Sequence, residues 1–326
     1  MKALWSLLYH RRWWEFLART IQTNWRQAVR QDVSFNADGV LLRGWLYTPA
    51  KTSSSAPTIV MAHGFSAVKE MYLDSYAEVF CEAGFSVLVF DNRNFGASDG
   101  TPRYEIDPIQ QVRDYRNAIS FVSTLDGIDK NRIGVWGSSY SGGHVLMLSA
   151  IDRRVKCVVS QVPMISGKET IDRAVRPDHL QAMRATLDED RMRRFAGEAP
   201  GMIPAVSGDP AVPSAMPPAD AWEWFSATSQ TRAPAWKNEV TLRSIEMLME
   251  YEPGSYVRSI SPTPLLVVAA PADHVCVGDL QLAAFDRALE PKKLVMLTGG
   301  HFDAYTGPNF DAGCGAAVSW FKQYLF

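Results

Sequence analysis

Trp136-Gly137-Ser138-Ser139-Tyr140-Ser141-Gly142-Gly143 follows a short apolar run, Arg132-Ile133-Gly134-Val135-Trp136, and precedes a helical pattern. A serine hydroxyl is a weak nucleophile at neutral pH until a base takes its proton, and a sharp strand-to-helix bend lifts that hydroxyl clear of a sheet. Such a bend needs small neighbours, which Gly137, Ser141 and Gly142 supply. Ser139, two residues after Gly137, is the candidate nucleophile. Ser141 stands where the G-x-S-x-G pattern has its second glycine and itself sits in an S-x-S-x-G frame, so it is the competitor. A glycine-rich turn also suits a phosphate, but the spacings G-x-G-x-x-G and G-x-x-x-x-G-K-[ST] are absent.

Outward from this bend, short apolar runs alternate with helical patterns. Thr58-Ile59-Val60-Met61-Ala62 leads to a helix through Tyr72 to Ala83, and Phe85-Ser86-Val87-Leu88-Val89-Phe90 to a helix from about Pro108 to Val122. Lys156-Cys157-Val158-Val159 follows the helix after Ser141. Runs this short, apolar on both faces and spaced by helices, describe parallel strands in a sheet covered on both sides. The class is α/β. Ahead of them, Asp32 to Tyr47 holds two extended pieces around Asn36-Ala37-Asp38-Gly39; Asp-Gly signals a hairpin, so two antiparallel edge strands are expected to open the domain.

Residues 165–260 break the alternation with charged helical stretches such as Asp188 to Phe195, the Pro- and Gly-rich Gly197 to Pro218, and the aromatics Trp222, Trp224, Phe225 and Trp236. Pro264 to Ala270, a helix from Gly278 to Ala288, Lys293 to Leu297 and a terminal helix from about Gly313 then resume it. The reading is one core, residues 31–164 and 261–326, interrupted at residues 165–260 by a cap over the strand ends. Residues 1–30 mix Trp5, Leu8, Trp13, Phe16, Leu17, Ile21 and Trp25 with arginines. They are expected to form an amphipathic helical arm that packs on the body or joins two copies into a homodimer, with surface membrane association as the lesser reading.

Composition narrows the partners. Hydrophobic residues make up 47% and charged residues 21% of the 326, ordinary for a globular chain. Lys and Arg number 33 against 35 Asp and Glu, so no basic excess exists to attract a phosphate backbone, and nucleic acid is not an expected partner. The four cysteines, Cys81, Cys157, Cys276 and Cys314, are far apart and form no C-x-x-C pair, which fits free thiols in a reducing compartment rather than a zinc site. No apolar stretch approaches the ~20 residues of a spanning helix. A soluble, cytoplasmic protein without a metal or other cofactor is expected.

An activated serine needs an imidazole. His301, in Thr298-Gly299-Gly300-His301-Phe302-Asp303, directly follows the last apolar strand, where a loop hangs a side chain over the bend. The other five histidines have plainer readings: His10 and His179 lie outside the sheet pattern, His144 falls within the helix after the bend, His63 sits in a glycine loop, and His274 adjoins an acid. That acid, Asp273 in Ala270-Pro271-Ala272-Asp273-His274, emerges at the same sheet edge and is placed to fix the tautomer of His301. A role for Asp273 in capping the next helix is the plainer alternative, although Asp279 is nearer to that task. Asp303, two residues from His301, is the rival carboxylate. Negative charge developing on a carbonyl oxygen needs preorganised N–H donors, and the backbone amides of Phe65, in His63-Gly64-Phe65, and Tyr140 are the candidates. Arg93, in Asp91-Asn92-Arg93-Asn94, reads as a turn held by Asp91 and Arg93, with a clamp on a substrate carboxylate as the alternative.

With these residues placed, the sequence from Asp32 to Phe326 resembles the α/β-hydrolase superfamily. Gly137-Ser138-Ser139-Tyr140-Ser141-Gly142 is similar to the G-x-S-Y-x-G elbow of the X-prolyl dipeptidyl peptidase and cocaine esterase group. His63-Gly64-Phe65, the run Asp91 to Gly100 and Gly299-Gly300-His301 are similar to dienelactone-hydrolase-like and polyketide-transferase-like members. The resemblance implies a mostly parallel central sheet covered by helices, a helical cap, and a serine hydrolase acting through Ser139, His301 and Asp273. Those peptidases usually carry a further β-sandwich domain, for which this chain leaves no room, so a small-molecule ester, thioester or lactone is expected rather than a peptide. Two alternatives stay open: an acyltransferase using the same residues, and a noncatalytic binding protein on this fold. Met202, Trp222, Trp224 and Phe225 are candidate substrate-pocket residues, or equally the core of the cap itself.

Overall fold

The computed structural model describes residues 29–50 and 55–326. The arm read into residues 1–30 lies outside the described residues, except for Val29 and Arg30, which open a strand. The hairpin is β1 (Val29–Ala37) and β2 (Val40–Thr48), closed at Asp38-Gly39. Eight strands form the sheet: these two with β3 (Ala56–Ala62), β4 (Ser86–Phe90), β5 (Ile128–Ser138), β6 (Val155–Gln161), β9 (Leu265–Ala269) and β10 (Lys292–Met296). Their order is β1-β2-β4-β3-β5-β6-β9-β10. Antiparallel pairing is confined to β1 with β2 and β2 with β4; the other pairs are parallel. Only β1 of the hairpin is an edge, because β2 also pairs β4.

The burial of each strand follows its place in that order. β3, β4 and β9 are buried along their whole length, as continuous apolar runs require. β10, at the far edge, is half-exposed and begins Lys292-Lys293, charges that discourage pairing with another chain. Helices α2 (Pro108–Val122), α3 (Tyr140–Ile151) and α8 (Gly278–Arg287) share one apolar cluster with the sheet. Helices α1 (Leu73–Glu82) and α9 (Gly307–Leu325) share the cluster on the other face. The terminal helix starts six residues earlier than its apolar pattern, at Gly307-Pro308, because proline at the first turn gives up an N–H that would be unpaired there anyway.

Between β6 and β9 lie α4 (Gly167–Ala174), α5 (Pro177–Phe195), α6 (Ala219–Thr231), α7 (Leu242–Met249) and a two-stranded ribbon of β7 (Met202–Ile203) with β8 (Val240–Thr241). Their apolar faces meet the loops at the strand ends in a third cluster: Ile171, Leu187, Phe225 and Leu248 pack with Phe65, Val68, Phe95 and Tyr140. The end of the insertion differs from the sequence reading. Pro253–Ser259 is a 3₁₀ turn, and Val257 and Ile260 enter the cluster beneath the sheet with α3 rather than the one above the strand ends.

Arg93 also differs from its reading. Its guanidinium does not hold Asp91; it grips Asp114 of α2 through Nε at 2.6 Å and Nη2 at 2.5 Å, and donates to the Ala37 carbonyl. Asp91 instead accepts from Lys69 Nζ at 2.7 Å and from the amides of Lys69 and Ala97, tying the loop after β4 to the loop after β3. Arg93→Ala leaves the fully buried Asp114 carboxylate without its counter-charge. Urea denaturation is expected to show a loss of about 3–5 kcal/mol.

Candidate active site

The carboxyl ends of β3, β5, β9 and β10 deliver the four segments of the site to one side of the sheet. At the end of β5, Ser139 has φ 62° and ψ −125°, a conformation that residues with side chains rarely adopt. The bend is tied on both sides: Ser139 N donates to the Gln161 carbonyl at 2.9 Å, and its own carbonyl accepts from Met164 N at 2.9 Å. A Cβ at Gly137 would stand 2.2 Å from the Ser141 carbonyl oxygen, and one at Gly64 would stand 2.8 Å from Ser139 Cβ. Gly137 is needed because backbone passes where a side chain would be, and Gly64 because the side chain of Ser139 stands there. The competitor Ser141 is turned away: its Oγ lies 2.6 Å from the Tyr115 hydroxyl in the interior.

Ser139 Oγ donates to His301 Nε2 at 2.9 Å, and His301 Nδ1 donates to Asp273 Oδ2 at 2.6 Å. All three side chains are buried, with residue exposures of 7%, 1% and 2%. Asp273 Oδ2 also accepts from Gln281 Nε2 at 2.8 Å, and Oδ1 accepts from the amides of Val275 and Cys276. Burial pushes this carboxyl up, but the charge of His301, its hydrogen bond and the two amides outweigh burial and hold it below the usual range. Asp273 therefore orients the histidine and also organises the turn into α8. The rival Asp303 accepts from Gly300 N at 2.7 Å and shapes the histidine loop from the other side.

At the end of β3, His63 accepts from Gly64 N on Nδ1 at 2.8 Å and donates from Nε2 to the Met71 carbonyl at 2.9 Å. This ring folds the loop, as its glycine context suggests. The Phe65 N–H has no protein acceptor among the described residues, and the Tyr140 N–H lies in the first turn of α3, where helix donors lack intrahelical partners. Asp273, Cys276 and His301 bring ligand atoms within 4.8 Å of one another. Asp273 and His301 are already bonded to each other, however, and burial pushes the Cys276 thiol well up, away from the thiolate form that binds a metal.

Two small cavities flank Ser139. Trp224 and Phe225 border one of them, so these two candidates do reach the site. Met202 and Trp222 border neither and are exposed. Met202 sits on β7. Trp222 precedes Trp224 by two positions on α6, about 200° around the helix, and faces Gly208 instead. Three neighbours of the site carried no signal in the sequence. Gln281 braces Asp273, and Cys276 Sγ stands 3.7 Å from Ser139 Oγ. Tyr115 Oη bonds both the Ala62 amide and Ser141, joining β3 to the bend. Cys276 and Tyr115 reach the site through long-range packing, whereas Gln281 reaches Asp273 from the first turns of the helix that follows it.

The family described as X-Pro dipeptidyl-peptidase (S15 family) matches residues 38–303. The chain belongs to the S15 family. A thiohydrolase of Eupenicillium brefeldianum is 34% identical to this S15-family chain over 289 residues, covering 87% of it and 91% of the relative. The polyketide transferase grgF of Penicillium sp is 32% identical over 84% of this chain and 90% of its own length. The crystal structure of the alpha/beta hydrolase GrgF from Penicillium sp. sh18 superposes with a TM-score of 0.79 at 29% identity, over 91% of this chain and 99% of the other. The S15-family chain has the α/β-hydrolase fold, and no helix among its described residues is long and apolar enough to cross a membrane.

The second buried histidine of this S15-family chain is His144, which accepts from the Tyr251 hydroxyl on Nδ1 and donates from Nε2 to Gln111. Burial pushes His63 down to about 4 and His144 down to about 3, so both rings are neutral in the folded chain. Below about 6.5 the unfolded chain protonates both, and stability falls as pH drops through the window from 6.5 to 4. Each ring is expected to remove about 2 kcal/mol by pH 5. Urea unfolding at pH 7 and pH 5 measures the difference, and His144→Gln should narrow it by about that amount.

Proposed function

We propose that the chain is a serine hydrolase that cleaves a carboxylic ester, thioester or lactone through an acyl-enzyme on Ser139. The observation that carries this reading is the unbroken chain of hydrogen bonds from Ser139 Oγ through His301 to Asp273. Ser139 Oγ attacks the carbonyl carbon while its proton passes to His301 Nε2. Asp273 holds the ring in the receptive tautomer and stabilises the imidazolium. The Phe65 and Tyr140 amides hold the oxyanion, a role worth about 2.7–4 kcal/mol per donor. The proton then passes to the leaving group, and water attacks the acyl-enzyme by the same path in reverse. No cofactor enters these steps, and a small acyl compound is the partner they call for. Relatives named thiohydrolase and polyketide transferase support acyl chemistry on a carbonyl.

Acyl transfer to an alcohol or amine is the second reading, favoured by the burial of Ser139 and His301. A site that excludes water lengthens the life of the acyl-enzyme and gives another acceptor time to arrive.

A fluorophosphonate probe followed by peptide mapping is expected to label Ser139 alone. Ser139→Ala should abolish labelling and lower turnover of p-nitrophenyl esters by about 10⁴-fold or more, with Asp273→Asn costing about 10³–10⁴-fold. Labelling at another residue, or unchanged turnover in Ser139→Ala, overturns the reading. Product analysis with a competing alcohol separates transfer from hydrolysis.

A further inference from the structure

The two cavities beside Ser139 differ in chemistry. One, about 30 Å³, is walled mainly by aliphatic and sulfur-bearing side chains, among them Met164, Ile171, Leu248, Val275 and Cys276. The other, about 10 Å³, is walled by aromatic rings, among them Trp224, Phe225, Phe302 and Tyr305. Ser139, Phe65 and Met216 border both, whereas His301 borders only the aromatic lobe. Within that lobe Trp224 stacks on Phe302 at 4.9 Å, with 23° between planes, and lies 5.1 Å from Tyr305. Its indole Nε1 is buried without a hydrogen-bond partner.

We propose that the leaving group, and the acceptor that later takes the acyl group, occupy the aromatic lobe beside Trp224 and Phe302, and that an aliphatic acyl chain occupies the other. The preferred substrate then joins an aliphatic acyl group to a flat, aromatic partner. This inference rests on the serine mechanism above. The bond from Ser139 Oγ to the carbonyl carbon forms as the serine proton reaches His301 Nε2. The bond from that carbon to the leaving heteroatom breaks as the same proton moves onto the heteroatom. The leaving atom must therefore lie against His301, and so must the incoming water or alcohol that returns a proton to Nε2. With the carbonyl oxygen between the Phe65 and Tyr140 amides, the acyl chain takes the side away from His301. Chemistry agrees with this geometry, because stacked rings favour a flat occupant and the unpartnered indole N–H can donate to an oxygen it carries. In this form the aliphatic lobe has room for about two waters and the aromatic lobe for about one at most, so a larger occupant displaces Met216, which borders both and whose thioether side chain adapts readily.

Benzyl butyrate and cyclohexylmethyl butyrate share an acyl group and release alcohols of similar acidity, so their ratio of kcat/KM reads the leaving side alone. Wild type is expected to prefer the benzyl ester by about fivefold. Trp224→Leu and Phe302→Leu should remove most of that preference while leaving the chain-length profile on p-nitrophenyl esters from acetate to decanoate in place. Ile171→Phe should shorten the longest acyl chain accepted and leave the benzyl preference unchanged. Trp224→Phe, which keeps a ring and drops the N–H, stands in if the leucine variant does not fold, and should retain part of the preference. The assignment is overturned if wild type shows no benzyl preference, or if the Trp224 variants shift the chain-length profile and Ile171→Phe shifts the leaving-group ratio. Turnover persisting in Ser139→Ala is a different failure, since it removes the serine mechanism itself.

Discussion

A side-chain-bearing residue at φ 62° and ψ −125° persists only where its surroundings over-determine it, and at Ser139 they do. The amide and carbonyl of that residue are bonded into β6 and the segment after it. A methyl group at Gly137 would collide with the Ser141 backbone, and one at Gly64 with the side chain of Ser139 itself. Tyr115 reaches from α2 to bond the end of β3 and Ser141 together. The bend, the loop after β3 and the end of β6 therefore form one rigid unit, and the hydroxyl of Ser139 is aimed by its backbone before any substrate arrives. On the proposed mechanism, that preorganisation leaves no reorganisation to slow attack by the hydroxyl.

Burial creates the electrostatic problem that the polar side chains then solve. Asp273 has almost no contact with solvent, and four hydrogen bonds keep its charge in place. His63 and His144 are equally buried, yet each bonds to uncharged partners and stays neutral. The same interior thus holds two histidines that cannot easily take a proton and a third bonded to a carboxylate. The difference lies in the partner: a carboxylate stabilises imidazolium, whereas carbonyl, amide and hydroxyl groups leave its desolvation cost uncompensated.

The insertion between β6 and β9 does not sit on the sheet as a separate body. Its apolar residues share a cluster with Phe65 and Tyr140, the sequence neighbours of Gly64 and Ser139. Packing in the insertion therefore bears on the loop after β3 and on the first turn of α3.

The sequence alone determined the fold class and which candidate residues would meet, for local reasons. Buried parallel strands must be short apolar runs, a strained bend must be flanked by small residues, and loops after parallel strands all emerge at one edge. Ser139, Asp273 and His301 could thus be placed together from order and spacing, as could the loop-folding role of His63. What the tertiary structure decided was everything set by side chains meeting across long separations. Arg93 chose Asp114 over Asp91, Tyr115 bridged β3 to the bend, and Cys276 came to rest beside Ser139. The aromatic cluster was visible in sequence, but not that Trp224 would face the site while Trp222 turned toward Gly208. Local pattern fixes which face of an element is apolar. Only the packing of elements against one another selects, among many apolar and charged candidates, the pairs that touch.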